Sequence, residues 1–478
     1  NYIVQPTATP NDPQFTQQWA LQNTGQNVQG IAGTPGADIK ATAAWDVDTN
    51  RGSTANVVGI VDTGIDYNHP DLAANVWSAP AAFTVNIRGV AINCAAGTHG
   101  FNALTSTCDP LDDDAGSHGT HIAGIVGAVG NNSAGVSGVN WNASLMGLKF
   151  ISPSGGDIAH AIDAISFAIQ AKSAFAATAG ANVRVLNNSW GPADSVGQGG
   201  FSQELLNTIN EANDNQMLFV ASAGNLSSNN DTTPYYPASY AAPPNNAANV
   251  ISVAATNQSD ALAGFSNYGA TSVDVAAPGV SILSTTHNNT YGYLSGTSQA
   301  AAFTSGAAAL VLARCSALDT STLKSTLLTN ADALASLNGK TKGSQANTGR
   351  RLNVNAALSA CAAAYPPSVT RSLSTVADAY VNKALATTNF GNATELQVKQ
   401  TSAGDDSHDR YTYLRFDLSS VSGQINQATL RLFGSLTNAS IGSTPISVQQ
   451  AATTAWIEGD GGTDNNPAGE ITFSNQPG

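Results

Sequence analysis

Between Asn56 and Cys315, short and wholly apolar runs alternate with stretches of helical composition, and this alternation constrains the fold more than any other feature. A run such as Asn56–Ile60 has no polar face, so it has to be covered on both sides, which is the situation of a strand inside a parallel sheet. Ala143–Phe150, Val183–Asn187, Met217–Ala221, Val250–Ala255 and Val273–Ala276 read as strands in the same way. Helices are predicted over His118–Val129, Asp157–Thr178 and Gln203–Asn213, and a buried one over Thr297–Cys315. Strands alternating with helices of roughly 10–20 residues give a parallel α/β sheet with helices on both faces. The first strand stops at Val61-Asp62-Thr63-Gly64, which puts a carboxylate at the carboxyl edge, where parallel sheets bind ligands.

Composition narrows the function. Hydrophobic residues make up 42 % of the 478, enough for a sizeable core. The net charge of −14 opposes binding to a phosphate backbone, so no nucleic-acid partner is expected. The most apolar stretch, Ala300–Ala313, is too short to span a bilayer, so no membrane partner is expected either.

After Cys361 the character changes. Residues 364–369 read as a linker because Pro366-Pro367 stops a helix. The short alternating segments Glu395–Gln400, Thr412–Phe416, Ala428–Phe433 and Ile446–Gln449 then predict an all-β sandwich over 370–478, ending in mid-pattern as a truncated module would. Four cysteines without a C-x-x-C pair point to disulfides rather than zinc. Local bridges Cys94–Cys108 and Cys315–Cys361 are the economical pairing by spacing. The first residue is Asn1, which reads as a processed, secreted chain.

Three islands carry chemistry: Val57–Pro70 (VVGIVDTGIDYNHP), Gly116–Val126 (GSHGTHIAGIV) and Leu294–Ala302 (LSGTSQAAA). Each sets one reactive residue, Asp62, His118 or Ser298, beside glycines at a strand end or helix start. A hydroxyl, an imidazole to take its proton and a buried carboxylate to orient the imidazole are what nucleophilic acyl transfer requires. Asn225, in Phe219–Asn225 (FVASAGN), supplies a side-chain amide for the developing oxyanion, and the Ser298 backbone N–H a second donor.

In this order the motifs DTGID, GSHGTH, ASAGN and GTSQAAA resemble the subtilisin-like serine peptidases (subtilases), on the thermitase and proteinase K side. The resemblance covers Pro10 to Cys361. It implies a three-layer subtilisin-like domain over 1–363, a secreted and monomeric endopeptidase, and an N-terminal pro-segment as a partner in maturation. By resemblance Asp62 orients His118, His118 is base and then acid, Ser298 attacks, and Asn225 lines the oxyanion hole. The family usually has Met after the serine and Pro four residues after it; here they are Gln299 and Ala302. Protein or peptide substrate would lie between Ser154-Gly155-Gly156 and Ser189-Trp190-Gly191. The first specificity pocket would be walled by Ala221-Ser222-Ala223 and by Ser189–Gly191, with Tyr235 at its base. The resemblance also implies one structural calcium held by the side chains of Asp12, Asp71 and Asn132 and the carbonyls of Val129, Ala134 and Val136. Ala377–Val381, Tyr413–Leu418 and Trp456…Pro477 resemble the jelly-roll modules called DNRLRE domains, which implies polysaccharide as a second partner.

Plainer readings compete. His118 and His121 sit three apart on a helix, but no glutamate lies between them as a zinc-peptidase helix requires. His121 therefore reads as a residue packed between helix and sheet. Asp109, Asp112, Asp113 and Asp114 read as a solvated acidic loop rather than a second ion site. Gly296, Ser298 and Ala300 nearly form an esterase elbow, but that fold needs its acid and histidine after the serine. The only later histidine is His408, inside the β-module.

Overall fold

The computed structural model describes residues 8–48, 51–192, 200–343 and 348–364, and beyond these 375–388, 390, 393, 395–399, 409–417 and 419. The chain separates into two compact units, Asn1–Pro366 and Pro367–Gly478.

The first unit is built on a nine-stranded sheet. In spatial order its strands are Asp332–Leu334, Gly349–Arg351, Val275–Pro278, Val250–Thr256, Leu218–Ser222, Val183–Asn188, Val57–Asp62, Leu145–Lys149 and Gly100–Asn102. Every neighbouring pair is parallel except the first, which is antiparallel. Successive side chains of a strand point to opposite faces, and both faces here are apolar. Val58 and Ile60 enter one core, and Val57 and Val61 the other.

The helices divide between those two cores. α1 (Ala41–Val47), α2 (His118–Gly127), α5 (Thr297–Arg314), α6 (Thr320–Thr329) and α7 (Val354–Ala364) contribute to the first; α3 (Ile158–Ala174) and α4 (Gln203–Asp214) contribute to the second. The expected parallel sheet clad on both faces is therefore present. α5 is buried continuously from Thr297 to Leu312. Its alanines favour helix and let it lie close to its neighbours. A Cβ on Gly306, for instance, would come 2.8 Å from that of Val139.

Boundaries differ from the sequence expectation where caps decide them. Asp157 is the N-cap of α3, its carboxylate accepting the His160 N–H at 2.8 Å, so the helix proper starts one residue later. It ends at Ala174, and the chain then turns through Ala179 at φ 53° rather than continuing to Thr178. Cys94 closes an unpredicted hairpin, Phe83–Ile87 with Val90–Cys94, that turns on Arg88 and Gly89, both at positive φ. Both expected disulfides are present, with Cα separations of 5.6 Å for Cys94–Cys108 and 6.4 Å for Cys315–Cys361.

In the second unit Thr375–Asn382 pairs antiparallel with Arg410–Phe416 around Ala377, Ala379 and Val381. Residues 395–399 of the predicted strand Glu395–Gln400 form no strand, only a bridge from Lys399 to Arg410. The predicted strands Ala428–Phe433 and Ile446–Gln449, the Trp456 segment and most of the linker lie outside the described residues. Among the described residues no helix is long and apolar enough to cross a membrane.

Candidate active site

Parallel strand direction brings Asp62, Lys149, Asn188 and Ser222 to one edge of the sheet, each at its strand's carboxyl end. Asp62 is fully buried. Its Oδ1 accepts the Thr63 N–H at 2.8 Å and faces His118 Nδ1 at 2.7 Å, while Oδ2 is buried without a partner. Lys149, in register with Asp62, donates from Nζ to the Thr63 carbonyl at 2.5 Å and to Asp113 at 2.8 Å.

His118 is the first residue of α2. Burial opposes charge on its ring, but the charge and hydrogen bond of Asp62, supported by Asp112 and Asp114, hold its pKa above the ordinary histidine value. His121, one turn on, is fully buried and directs Nε2 at the carbonyls of Ile282 and Gly292, 3.0 and 3.1 Å away. Burial lowers its pKa to about 3, so it stays neutral between helix and hairpin.

Ser298 lies in the first turn of α5, where backbone N–H groups lack intrahelical acceptors. Its Oγ donates to the Ser189 carbonyl at 3.2 Å, and Ser189 Oγ donates to the Ser298 carbonyl at 2.9 Å. Among the described residues no hydrogen bond joins Ser298 to His118. Asn225 is exposed, and its Oδ1 is held by the Thr297 N–H at 2.9 Å and hydroxyl at 3.0 Å. That orientation leaves its Nδ2 uncommitted among the described residues. Asn267 supports the same loop, accepting the Leu226 and Ser228 N–H groups and donating to Asn230.

Of the segments expected to bind substrate, Ser189 meets Ser298 through the hydrogen bonds above. Gly155 and Gly156 are exposed and pair with Ile151 and Ser152 next to exposed Ser154. Ser189, Trp190 and Gly191 continue the Val183–Asn188 strand, and the Trp190 ring packs edge-on against Phe150 with centroids 5.0 Å apart. Ala221 and Ser222 end the adjacent strand, with buried Ala223 after them. Tyr235 spans the gap between the two segments. A Cβ on Gly191 would lie 2.4 Å from its ring, and one on Gly224 would lie 3.1 Å from it. Burial raises the Tyr235 pKa, which keeps the phenol protonated.

A second cluster lies outside this centre. Asp12 accepts the N–H groups of Asn131 and Asn132 at 2.8 and 3.1 Å, and Asp71 accepts that of Val136 at 2.9 Å. Burial pushes both carboxyl pKa values up, and the charge of Asp71 adds to the shift of Asp12. Neither carboxylate forms an ion pair among the described residues. Asn132 turns Nδ2 toward Asp71 at 2.7 Å and its oxygen toward the Ala134 N–H at 2.8 Å. The described residues contain no group of three or more His, Cys, Asp or Glu poised for a metal.

Thr63, Thr297 and Asn267 were not singled out from the sequence, and Asp112, expected in a solvated acidic loop, is instead buried and bonded to Thr120; all four bear on the site. Thr63 and Thr297 adjoin motif residues, which is a usable signal. Asp112 and Asn267 act across chain separations that leave no local pattern.

The carboxyl edge of the parallel sheet thus holds a buried acid, an imidazole and, on a helix N-terminus, a hydroxyl, the group types that nucleophilic-serine hydrolases use. Residues 53–357 match the Subtilase family of peptidases, so the chain belongs to that family and carries a serine-peptidase domain. It is 34 % identical to the thermophilic serine proteinase of Bacillus sp. (strain AK1), over 65 % of this chain and 61 % of that one. It is 35 % identical to the extracellular protease of Xanthomonas campestris pv. campestris, over 65 % of this chain and 50 % of that one. Thermitase of Thermoactinomyces vulgaris is 33 % identical over 63 % of this chain and 85 % of its own. The chain thus spans only 50–61 % of the first two relatives. A solved protease structure from Pseudoalteromonas arctica superposes with a TM-score of 0.54 at 27 % identity, covering 74 % of this chain and all of that one. Residues 369–477 match carbohydrate-binding module family 96, which replaces the DNRLRE assignment with a carbohydrate-binding one.

Proposed function

We propose that this protein is a secreted serine endopeptidase acting through Asp62, His118 and Ser298. The observation that carries the reading is the 2.7 Å contact of His118 Nδ1 with buried Asp62 beside a serine on a helix N-terminus. Ser298 Oγ, turned from Ser189 toward His118, attacks the scissile carbonyl while Nε2 takes its proton. Asp62 accepts from Nδ1–H and stabilises the imidazolium. The oxyanion receives hydrogen bonds from Asn225 Nδ2 and the Ser298 N–H, both fixed in advance. Collapse of the tetrahedral intermediate expels the amine, which takes the proton from His118. Water, deprotonated by the same imidazole, then cleaves the acyl-enzyme and restores Ser298.

Substrate backbone binds as an added strand between Gly155–Gly156 and Ser189–Gly191. Tyr235 floors the first pocket and favours a small residue before the cleaved bond. Asp12 and Asp71, buried and uncompensated, suit a hard cation. Calcium there would be held by both carboxylates, by Asn132 once its amide turns over, and by the carbonyls of Val129, Ala134 and Val136. It would neutralise the pair and fasten the N-terminal segment to the loop after α2.

Intact-mass analysis after treatment with a sulfonyl fluoride tests the centre. One adduct mapping to the Ser298 peptide, absent in His118→Ala, is expected; no adduct on folded protein would remove the peptidase reading. For the C-terminal module the family match favours binding of insoluble polysaccharide. Equal retention with and without residues 369–478 would remove that role.

A further inference from the structure

Helix α2 presents His118 from its first residue, yet does little to fix its own start. It has ten residues, three of them glycine, and Ser117 before it sits at φ 52° and gives no side-chain cap. An uncapped N-terminus leaves backbone donors unsatisfied and frays. Here the caps come from other segments. Thr63 Oγ1 accepts the Gly119 N–H at 2.8 Å. Asp112 Oδ2 accepts the Thr120 N–H at 3.1 Å and the Thr120 hydroxyl at 2.6 Å.

Asp112 is itself anchored to the turn that follows Asp62. The Ile65 N–H donates to the Pro110 carbonyl at 3.0 Å, and the Asp112 N–H donates to the Ile65 carbonyl at 3.2 Å. Gly64 allows this close approach, since a Cβ there would lie 2.4 Å from the Pro110 oxygen. The Thr120 hydroxyl closes the circuit by accepting the Asp66 N–H at 3.0 Å. Asp109 and Asp113 are exposed and Asp114 is half-buried, whereas Asp112 is only 5 % exposed and receives donors alone. One carboxylate thus staples the turn bearing the acid to the helix bearing the base.

We propose that Asp112 is a positioning residue for the reaction, capping α2 from outside so that His118 is held against Asp62. The proposal rests on the peptidase reading for its kinetic consequence but not for its structural one. An anion at a helix N-terminus is favourable, and this one also favours the imidazolium. The other groups around His118 are Asp62 and Asp114, Lys149 already engaged by Asp113, neutral His121, Asp66, and His287 on the hairpin that meets Ser117.

The test uses the full chain with Asp112→Asn and Asp112→Ala. Asp112→Asn keeps an acceptor for Thr120 and removes the charge. In a Ser298→Ala background, the side-chain nitrogen resonances of His118 should titrate lower by on the order of half a pH unit. In active protein, Asp112→Ala should lower kcat about tenfold with KM little changed, as loss of alignment does. If Asp112→Asn leaves the His118 titration in place, or a folded Asp112→Ala keeps the parent kcat, the proposal fails. If Asp112→Ala does not fold, the Asp112→Asn titration decides alone. Should the parent chain cleave no peptide, the peptidase reading falls, while the titration still judges the contact.

Discussion

Replacing Tyr235 with glycine should reverse the preference for the residue before the cleaved bond. The ring lies between Gly191 and Gly224, so removing it opens a slot between the two walls. A phenylalanine side chain entering that slot would bury about 150 Å² of apolar surface, worth at most ~4 kcal/mol at about 25 cal/mol per Å². Side-chain ordering and incomplete desolvation reduce this to about 2–3 kcal/mol. Against an alanine substrate, the ratio of kcat/KM values should rise roughly 30- to 150-fold. The assay is kcat/KM on paired peptides differing only at that position, for parent and Tyr235→Gly. A coupled substitution sharpens it. A Cβ at position 191 lies 2.4 Å from the Tyr235 ring, so Gly191→Ala should be damaging in the parent and better tolerated beside Tyr235→Gly. An unchanged substrate ratio together with additive effects of the two substitutions would refute this assignment of the pocket floor.

The His118 pKa, raised above 6.5, means the neutral base is lost as pH falls through a value on the alkaline side of 6.5. The acid limb of kcat/KM should therefore lie above 6.5, and a limb below pH 6 would contradict the Asp62 contact. On the proposed calcium site, chelation should remove the charge that offsets Asp12 and Asp71. At a free-ion level one hundred times Kd this costs about 2.7 kcal/mol, a fall in Tm of roughly 3–4 °C for a unit of this size, with faster autolysis; no change in either would count against the site. Gln299 has no thioether to oxidise beside Ser298, and the only methionines, Met146 and Met217, are buried. Activity should thus survive peroxide, and rapid loss matched by oxidation of either methionine would overturn that expectation.

The six central strands of the sheet were legible because each carries its own instruction, whereas the three-residue strands Gly100–Asn102, Asp332–Leu334 and Gly349–Arg351 are too short to show a pattern. Val57 to Val61 is apolar at every position, and only burial on both faces satisfies that pattern. The candidate catalytic residues were legible because acid, imidazole and hydroxyl each sit in a short glycine-flanked motif. Asp112 was not, since four aspartates in six positions look alike until the fold buries one of them. The hairpin closing at Cys94 was missed although its alternation is present: Thr84, Asn86 and Asn93 are exposed between buried Val85, Ile87, Ile92 and Cys94. Tyr235 was placed at the pocket base by resemblance, but its fit against Gly191 and Gly224 depends on chain segments far apart in sequence.

The continuous burial of α5 has a consequence for how such a protein diversifies. Ser298, the proposed nucleophile, stands at the tip of a rod embedded in the core, and alanine and glycine along the shaft leave no room for growth. Substitutions there disturb stability and chemistry together and would be purged. Tyr235 sits on a surface connection whose neighbours are glycines, so size can be exchanged there without moving the rod. On the proposed assignment of the pocket floor, preference for the residue before the cleaved bond is therefore free to drift while the reaction stays fixed.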